Sequence, residues 1–559
     1  MMTKRAGGKD MAQEILTNAV LEDAQHDSIE RLAYRFELER REFLQLLGGG
    51  VVVCLCAPAL AQESGGRQRP SRDEELPTSI DAWLHIGESG AITVFTGKVE
   101  VGQNIRTSLS QQVAEELRVP MSTIRLVMGD TEQTPFDMGT FGSRTTPIMG
   151  TQLRKVAASA REALVGMAAE KWQAQASMLV AAEGKISDPR TNRSVSYGEL
   201  AKGQRIVKVI ADDAGLTSPG KWKIAGTSSA KVNGRDFVTG KHQYTSDLSR
   251  PDMLHGKVLR PTAFKAKLVS LDRAQAEKMT GVKVVRDGEF VAVVAADHAT
   301  ATKAASALRA QWDAPKQPSE PELFEYLRNH PGEQSRGFGS RPPDMAGSVE
   351  QGLASADKTL KQTYTVAYIA HVPLEPRAAV AEWNDGKLTV WTGTQRPFAV
   401  REELAEAFHL PADKVRVIVP DTGSGYGGKH TGEAAIEAAR LAKAAAKPVR
   451  LVWTREEEFT WAYFRPAGVI DVSSGVRKDG KIVAWEFHNY NSGPAAIATP
   501  YEIPNRRIEF HSADSPLRQG SYRALAATAK SETRSAGEGS RRADGCRTPR
   551  SCSCGNPRP

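Results

Sequence analysis

Residues 415–435 read VRVIVPDTGSGYGGKHTGEAA. The apolar residues of VRVIVP alternate and predict a strand, Gly423, Gly425, Gly427 and Gly428 open a loop, and GEAAIEAARLAKAAAK (432–447) predicts a helix. Glycines there let backbone N–H groups approach a ligand without Cβ contact, and a following helix N-terminus favours an anion. Gly423-x-Gly425-x-x-Gly428 also satisfies the dinucleotide fingerprint, with Glu456 at a distance suited to a ribose. Tyr426 and the pair Lys429-His430 are bulky for that motif. A nicotinamide- or flavin-dependent dehydrogenase is therefore one reading of the loop, and an ordinary glycine-rich turn is another.

Outward from this loop, short strands alternate with helices. AITVFTGKV (91–99), TIRLVMGD (123–130), LHGKVLR (254–260), FVAVVAA (290–296), KLTVWTG (387–393) and PVRLVW (448–453) read as strands. TSLSQQVAEEL carries a helical stripe of Leu109, Val113 and Leu117, a second glycine-rich loop spans 139–150, and an alanine-rich helix follows from 151 to 176. Residues 314–346, rich in proline and polar residues, read as a linker or long surface loop. The class is mixed α/β or α+β.

The 559 residues, 40% hydrophobic and 25% charged, describe a globular chain of several domains and exclude a disordered or fibrous one. The net charge of +8 is unevenly placed. Residues 530–559 hold seven Lys/Arg against three Asp/Glu, half of the excess, and contain no Val, Ile, Leu, Met, Phe, Tyr or Trp. That tail is expected to be disordered, and its charge is no argument for a nucleic-acid partner. Cysteines occur only at 54, 56, 546, 552 and 554, which excludes a disulfide scaffold and any iron–sulfur or thiolate zinc site in the body. His85, His242, His255 and His298 are scattered without ligand spacing and give no zinc site.

Arg40-Arg41 before Phe43-Leu44, a short apolar run and Ala59-Leu60-Ala61 resemble a twin-arginine export signal cut after Ala61, which implies a periplasmic protein. The apolar run is too short for a permanent transmembrane span. Residues 62–77 read as a polar linker.

Seven segments together resemble one known family. They are TGKVEVGQNIRTSLSQQVAEEL (96–117), the MGDT to GSRT region (128–145), VNGRDFVTGKHQYTSDL (232–248), AHVPLEPRAAVAEW (370–383), WTGTQRP (391–397), GSGYGGK (423–429) and SPLRQGSYRA (515–524). Their joint occurrence resembles the large molybdopterin-binding subunit of the xanthine dehydrogenase and aldehyde oxidase type, most of all its exported branch with the isoquinoline 1-oxidoreductase β subunits. The resemblance implies a multi-domain α+β molybdenum hydroxylase fold. It divides the chain into a signal region (1–61), a linker (62–77), a molybdopterin-binding segment (78–230), a hammerhead-like α/β domain (231–315), a linker (316–359), a partial second molybdopterin-binding domain (360–529) and a tail (530–559).

By the same resemblance the cofactor is a molybdenum held by a pterin dithiolene, commonly as the cytosine dinucleotide, and no protein residue ligates the metal. Gln395 is implied as a hydrogen-bond partner of a metal oxo group, and Gly425-Tyr426-Gly427 as the loop beside the metal, with Tyr where relatives usually have Phe. Gly102-Gln103 and Gly142-Ser143-Arg144 are implied as pterin and phosphate contacts, although Asn104 replaces the usual second glycine of G-Q-G. Arg523 matches a family arginine that could stabilise developing negative charge. His430 stands where some relatives have Glu. His371 and Glu375 read as structural hydrogen-bonding residues, and the run Arg455-Glu456-Glu457-Glu458 as a solvated turn.

The implied reaction hydroxylates an aldehyde or an N-heteroaromatic ring with oxygen from water. A small [2Fe–2S] subunit would take the electrons, with a cytochrome c as a candidate acceptor. The family's general base is a Glu in a G-V-G-E-type motif, which is missing here. Family character stops after LAATA (525–529) and gives way to the apolar-free tail. That pattern suggests a frameshift or premature end and a chain inactive alone.

Overall fold

The computed structural model describes residues 50–56, 80–210, 215–332, 342–524 and 527. The proposed linker 62–77, the tail 530–559 and most of the signal region lie outside the described residues.

Three larger sheets organise the chain, and the mixed α+β class is what they form. The first has the strand order Ile124–Met128, Ile92–Thr96, Ile80–Gly87, Gly50–Cys56, Arg205–Ile210. Helices Ile105–Leu117 and Gly150–Trp172 cover it, burying Leu109, Val113, Leu117, Leu153, Val156 and Leu164 completely against Leu84, Ile86 and Val94. The i, i+4, i+8 stripe on the first helix is therefore its core face. Gly50–Cys56 falls within the stretch expected as an export signal. It pairs antiparallel with Ile80–Gly87 and parallel with Arg205–Ile210, and Val51 and Val53 are fully buried.

The second sheet has seven strands in the order Lys283–Asp287, Phe290–Ala295, Leu254–Val258, Val449–Val452, Ala378–Asn384, Lys387–Thr392, Val415–Ile418. Leu254–Val258 lies parallel to Val449–Val452, so the segments 231–315 and 360–529, expected as separate domains, share one sheet. Helix Glu433–Ala445 buries Ala434, Ala435, Ala438, Ala439, Leu441 and Ala442 on that sheet. Alanines permit this close approach, and Gly256 permits it further, since a Cβ there would collide with Leu441. The stretch HATATKAASALRAQW (298–312), expected as one helix, instead splits into helix His298–Ala307 and strand Arg309–Asp313.

The third sheet has the order Asp344–Ala346, Asn505–His511, Ile482–Tyr490, Gly468–Val476, Lys358–Val366. Among its described residues, the stretch read as a linker at 316–359 contains regular elements. It holds helix Leu323–Asn329, strand Asp344–Ala346 and helix Val349–Ala354, all docked on this sheet or beside it. Among the described residues no helix is long and apolar enough to cross a membrane.

Candidate functional site

The glycine loop leaves strand Val415–Ile418 and reaches helix Glu433–Ala445 only after a long excursion that folds back over two other loops. The turn between strand Lys387–Thr392 and helix Pro397–Phe408 carries Gln395, and residues 137–144 form the third wall. Gln395 is buried and joins all three. Its Nε2 donates to Thr140 O (2.8 Å), its Oε1 accepts from the Gly427 N–H (2.9 Å), and its backbone N–H donates to Lys429 O (2.7 Å). Thr140 N–H in turn donates to Gln395 O (2.8 Å). Gly425 packs on the same amide: a Cβ there would lie 2.6 Å from Gln395 Oε1.

The loop's backbone is strained where it meets this cluster. Ser424 (φ 84), Tyr426 (φ 58) and Gly427 (φ 89) lie in the left-handed region, whereas Gly423 and Gly425 do not. Residues of alternating hand turn successive N–H groups into one concavity, a backbone arrangement suited to an anion. The Gly425 and Tyr426 N–H groups have no protein partner among the described residues, although Gly425 is buried. Non-glycine residues in this region cost about 1 kcal/mol or more each, which the surrounding hydrogen bonds must offset.

Buried charge surrounds the loop. Lys429, 1% exposed, places Nζ 3.6 Å from Glu375 Oε2, and burial pushes its ammonium well below the usual lysine range against the attraction of Glu375. Glu375 Oε2 also accepts from the Gly423 N–H (2.6 Å). Arg377 is buried beneath the loop, paired with Glu458 (2.7 Å) and donating to Gly428 O. His371 Nε2 lies 2.6 Å from Ser521 O, and its ring packs beside Tyr463 and Tyr522. His430 is buried beside Phe141, with ring centroids 5.4 Å apart, and its Nε2 has no hydrogen-bond partner. Burial, with Arg396 and His371 nearby, lowers its pKa to about 4, so the ring is neutral at pH 7.

The other expected site residues fall into two groups. Gly102 (φ 89) sits against Thr422 and Ser424, and Thr422 N–H donates to Glu100 O (2.9 Å), so the 100–104 loop joins the glycine loop. Gln103 is turned inward to its own loop, accepting from the Val101 N–H and donating to Val99 O. The residue that shapes this loop is Glu100, which sequence reading missed. Its buried carboxylate accepts from the N–H groups of Gly102, Asn104 and Arg106. Gly142 and Ser143 are exposed on the third wall, both left-handed, with Arg144 beside them. Tyr426 is 42% exposed. Arg523 is exposed two residues beyond the Ser521 carbonyl that meets His371, and it is not built into the Gln395 cluster.

Two expectations need correction. The run at 455–458 is not a solvated turn: Thr454 and Glu457 form a capping box for helix Arg455–Trp461, and Glu457 and Glu458 are buried against Lys257, Arg260 and Arg377. The charges of Glu457 and Glu458 are internal pairs, invisible without their distant partners. The dinucleotide reading fails as well. In that motif the helix N-terminus must be open to phosphate. Here the Glu403 carboxylate accepts from the Gly432 N–H (2.7 Å), and Glu433 in the first turn pairs with Arg518 and Arg377. The Glu403 carboxylate already holds the N–H at the start of that helix, where a pyrophosphate would bind.

The chain also matches known proteins. Residues 332–537 and 37–246 each match a family profile described as a molybdopterin cofactor-binding domain. The chain is similar to one of the subunits of nicotinate dehydrogenase from Pseudomonas putida, 31% identical over 72% of this chain and 34% of that protein. It is also similar to the beta subunit of isoquinoline 1-oxidoreductase from Brevundimonas diminuta, 26% identical over 80% of this chain and 63% of that one. The chain thus spans between about a third and two thirds of the length of these curated relatives. Among solved structures, quinoline 2-oxidoreductase from Pseudomonas putida 86 aligns with a TM-score of 0.49 at 24% identity, covering 57% of this chain and 48% of that one.

Proposed function

Since this chain belongs to the molybdopterin-binding large subunits of the xanthine dehydrogenase family, we propose that its three-loop cluster holds a molybdenum-pterin cofactor and that the enzyme hydroxylates an aldehyde or N-heteroaromatic compound. The observation that carries this reading is the buried Gln395 amide locked against Gly425 and Gly427, with two unpartnered loop amides and the orphaned His430 Nε2 beside it. A glycine tip that no Cβ could enter and backbone donors without partners fit a tightly packed anionic group.

When bound, that cofactor supplies the two-electron oxidation and activates the oxygen of water. The chain's own residues hold and orient. The Gly425 and Tyr426 N–H groups are free to donate to it, and Gly102, Gly142, Ser143 and Arg144 offer further contacts around the rim. Gln395 fixes the spacing of the loops, and its Nε2 becomes a donor toward the cofactor if it leaves Thr140. His430, neutral and backed by Phe141, lines the substrate side and can meet a ring nitrogen or carbonyl. Glu375 and Glu433 are tied to Gly423, Arg377 and Arg518, so neither is available as the general base. That role belongs to a carboxylate outside this cluster.

The names of the two relatives, nicotinate dehydrogenase and isoquinoline 1-oxidoreductase, favour an N-heteroaromatic substrate. We further propose the cytosine dinucleotide form of the cofactor, a small [2Fe–2S] subunit as electron acceptor, a cytochrome c beyond it, and twin-arginine export to the periplasm. The absence of cysteine from 57 to 545 supports an external electron carrier. Turnover of a pyridine- or quinoline-type substrate in ¹⁸O-labelled water by the assembled enzyme tests the reaction. Labelled product is expected; unlabelled product, or a requirement for added nicotinamide nucleotide, would overturn the proposal.

A further inference from the structure

Away from the loop cluster, three metal-ligating side chains converge on the third sheet. Strands Ile482–Tyr490 and Asn505–His511 run parallel, with His488 opposite Glu509 and Tyr490 opposite His511. Alternation sends Trp485, Phe487 and Ile508 into the core and leaves Glu486, His488, Glu509 and His511 half-buried on the other face. One ligand atom from each of His488, Glu509 and His511 falls within 4.8 Å of the others. His488 Nδ1 lies 3.0 Å from His511 Nε2 and 3.9 Å from Glu509 Oε2. A tetrahedral ion bonded at about 2.0 Å holds its ligand atoms about 3.3 Å apart, so these separations bracket the required value.

The protonation pattern also suits an ion. Glu486 Oε1 lies 3.2 Å from His488 Nε2. An ionised carboxylate only accepts, so Nε2 carries the proton and Nδ1 presents its lone pair to His511 and Glu509. This carboxylate-histidine pairing is the usual outer support of a histidine ligand. The ring of His511 is held by stacking on Tyr490, at 4.5 Å between centroids. Around the cluster, Arg507 binds Glu509 Oε2 (2.8 Å), and Asp471, opposite His488, pairs with Arg328 (2.7 Å). Three carboxylates therefore face two guanidiniums, and the excess negative charge favours a divalent cation.

We propose that His488, Glu509 and His511 form a structural site for a zinc-class transition-metal ion, with Glu486 as its outer carboxylate and water completing the shell. Two imidazoles and one carboxylate select zinc over calcium or magnesium. The ion clips together the two strands that precede the 515–523 segment, whose Ser521 carbonyl meets His371.

The test uses the full-length chain with Cys546, Cys552 and Cys554 changed to Ser, so that the tail thiols cannot compete. Titration with zinc chloride should saturate at a single ion, and cobalt should give tetrahedral visible bands without a thiolate band. His488→Ala and His511→Ala should each weaken zinc binding at least a hundredfold. Glu486→Gln, which keeps the shape of the side chain and tests the site even if a histidine variant fails to fold, should weaken it about 10- to 100-fold. No saturable binding, or binding unchanged in Glu486→Gln and His511→Ala, would overturn the proposal.

Discussion

A methyl group added at Gly425 would lie 2.6 Å from Gln395 Oε1, inside the distance at which real Cβ atoms pack. Gly425→Ala should therefore push the amide aside and cost about 1–3 kcal/mol. Its melting temperature should fall and its pterin content should fall further. His430 supplies a pH signature. Its pKa drops from an ordinary 6.5 to about 4 through burial, so the unfolded chain binds the proton more readily. The stability it contributes is complete above pH 6.5 and is lost as pH falls toward 4, a change of roughly 3 kcal/mol. Urea unfolding between pH 7 and 4 should be less steeply pH-dependent in His430→Gln; equal slopes would refute the assignment. At this scale the four glycines marked a loop whose purpose the residues alone left open, and Gln395 entered only through the family resemblance, because a single Gln in a turn has no pattern of its own. Glu100 and the exposed setting of Arg523 were not legible, since the burial of a charge depends on neighbours far along the chain.

Among the elements, helix Arg455–Trp461 shows why a charge run is ambiguous. Glu458 is buried against Arg377, which also spreads over Trp453 and Tyr463, whereas Glu456 is exposed on the same helix. Removing one partner of a buried pair strands the other, at about 3–5 kcal/mol, while an exposed surface change stays within about 0.5 kcal/mol. Glu458→Ala should approach the first figure and Glu456→Ala the second, as read by denaturant unfolding. Strong periodicity made the helices at 105–117, 150–172 and 433–445 and most core strands legible. The helices and short strand within 316–359 were hidden because proline and polar residues there mask elements held by tertiary docking.

At the scale of the whole molecule, sequence order is a poor guide to which segments share a sheet. Leu254–Val258 and Val449–Val452 are neighbours across nearly two hundred residues, a parallel pairing that no local pattern announces. The N-terminal strand raises a related question of processing. Export with cleavage after Ala61 predicts a mature protein starting at Gln62, and a sheet that loses Gly50–Cys56 from between two strands. Mass spectrometry of the exported protein decides it, and retention of residues 50–56 would contradict the cleavage. Cofactor binding rests on the loop cluster. The most direct test is pterin and molybdenum content of the full chain purified from a molybdopterin-producing host, beside Gly425→Val at matched circular dichroism. A molybdenum-pterin is expected in the parent chain and should be lost in the variant; equal content in both, or none in the parent, would rule out cofactor binding at these loops.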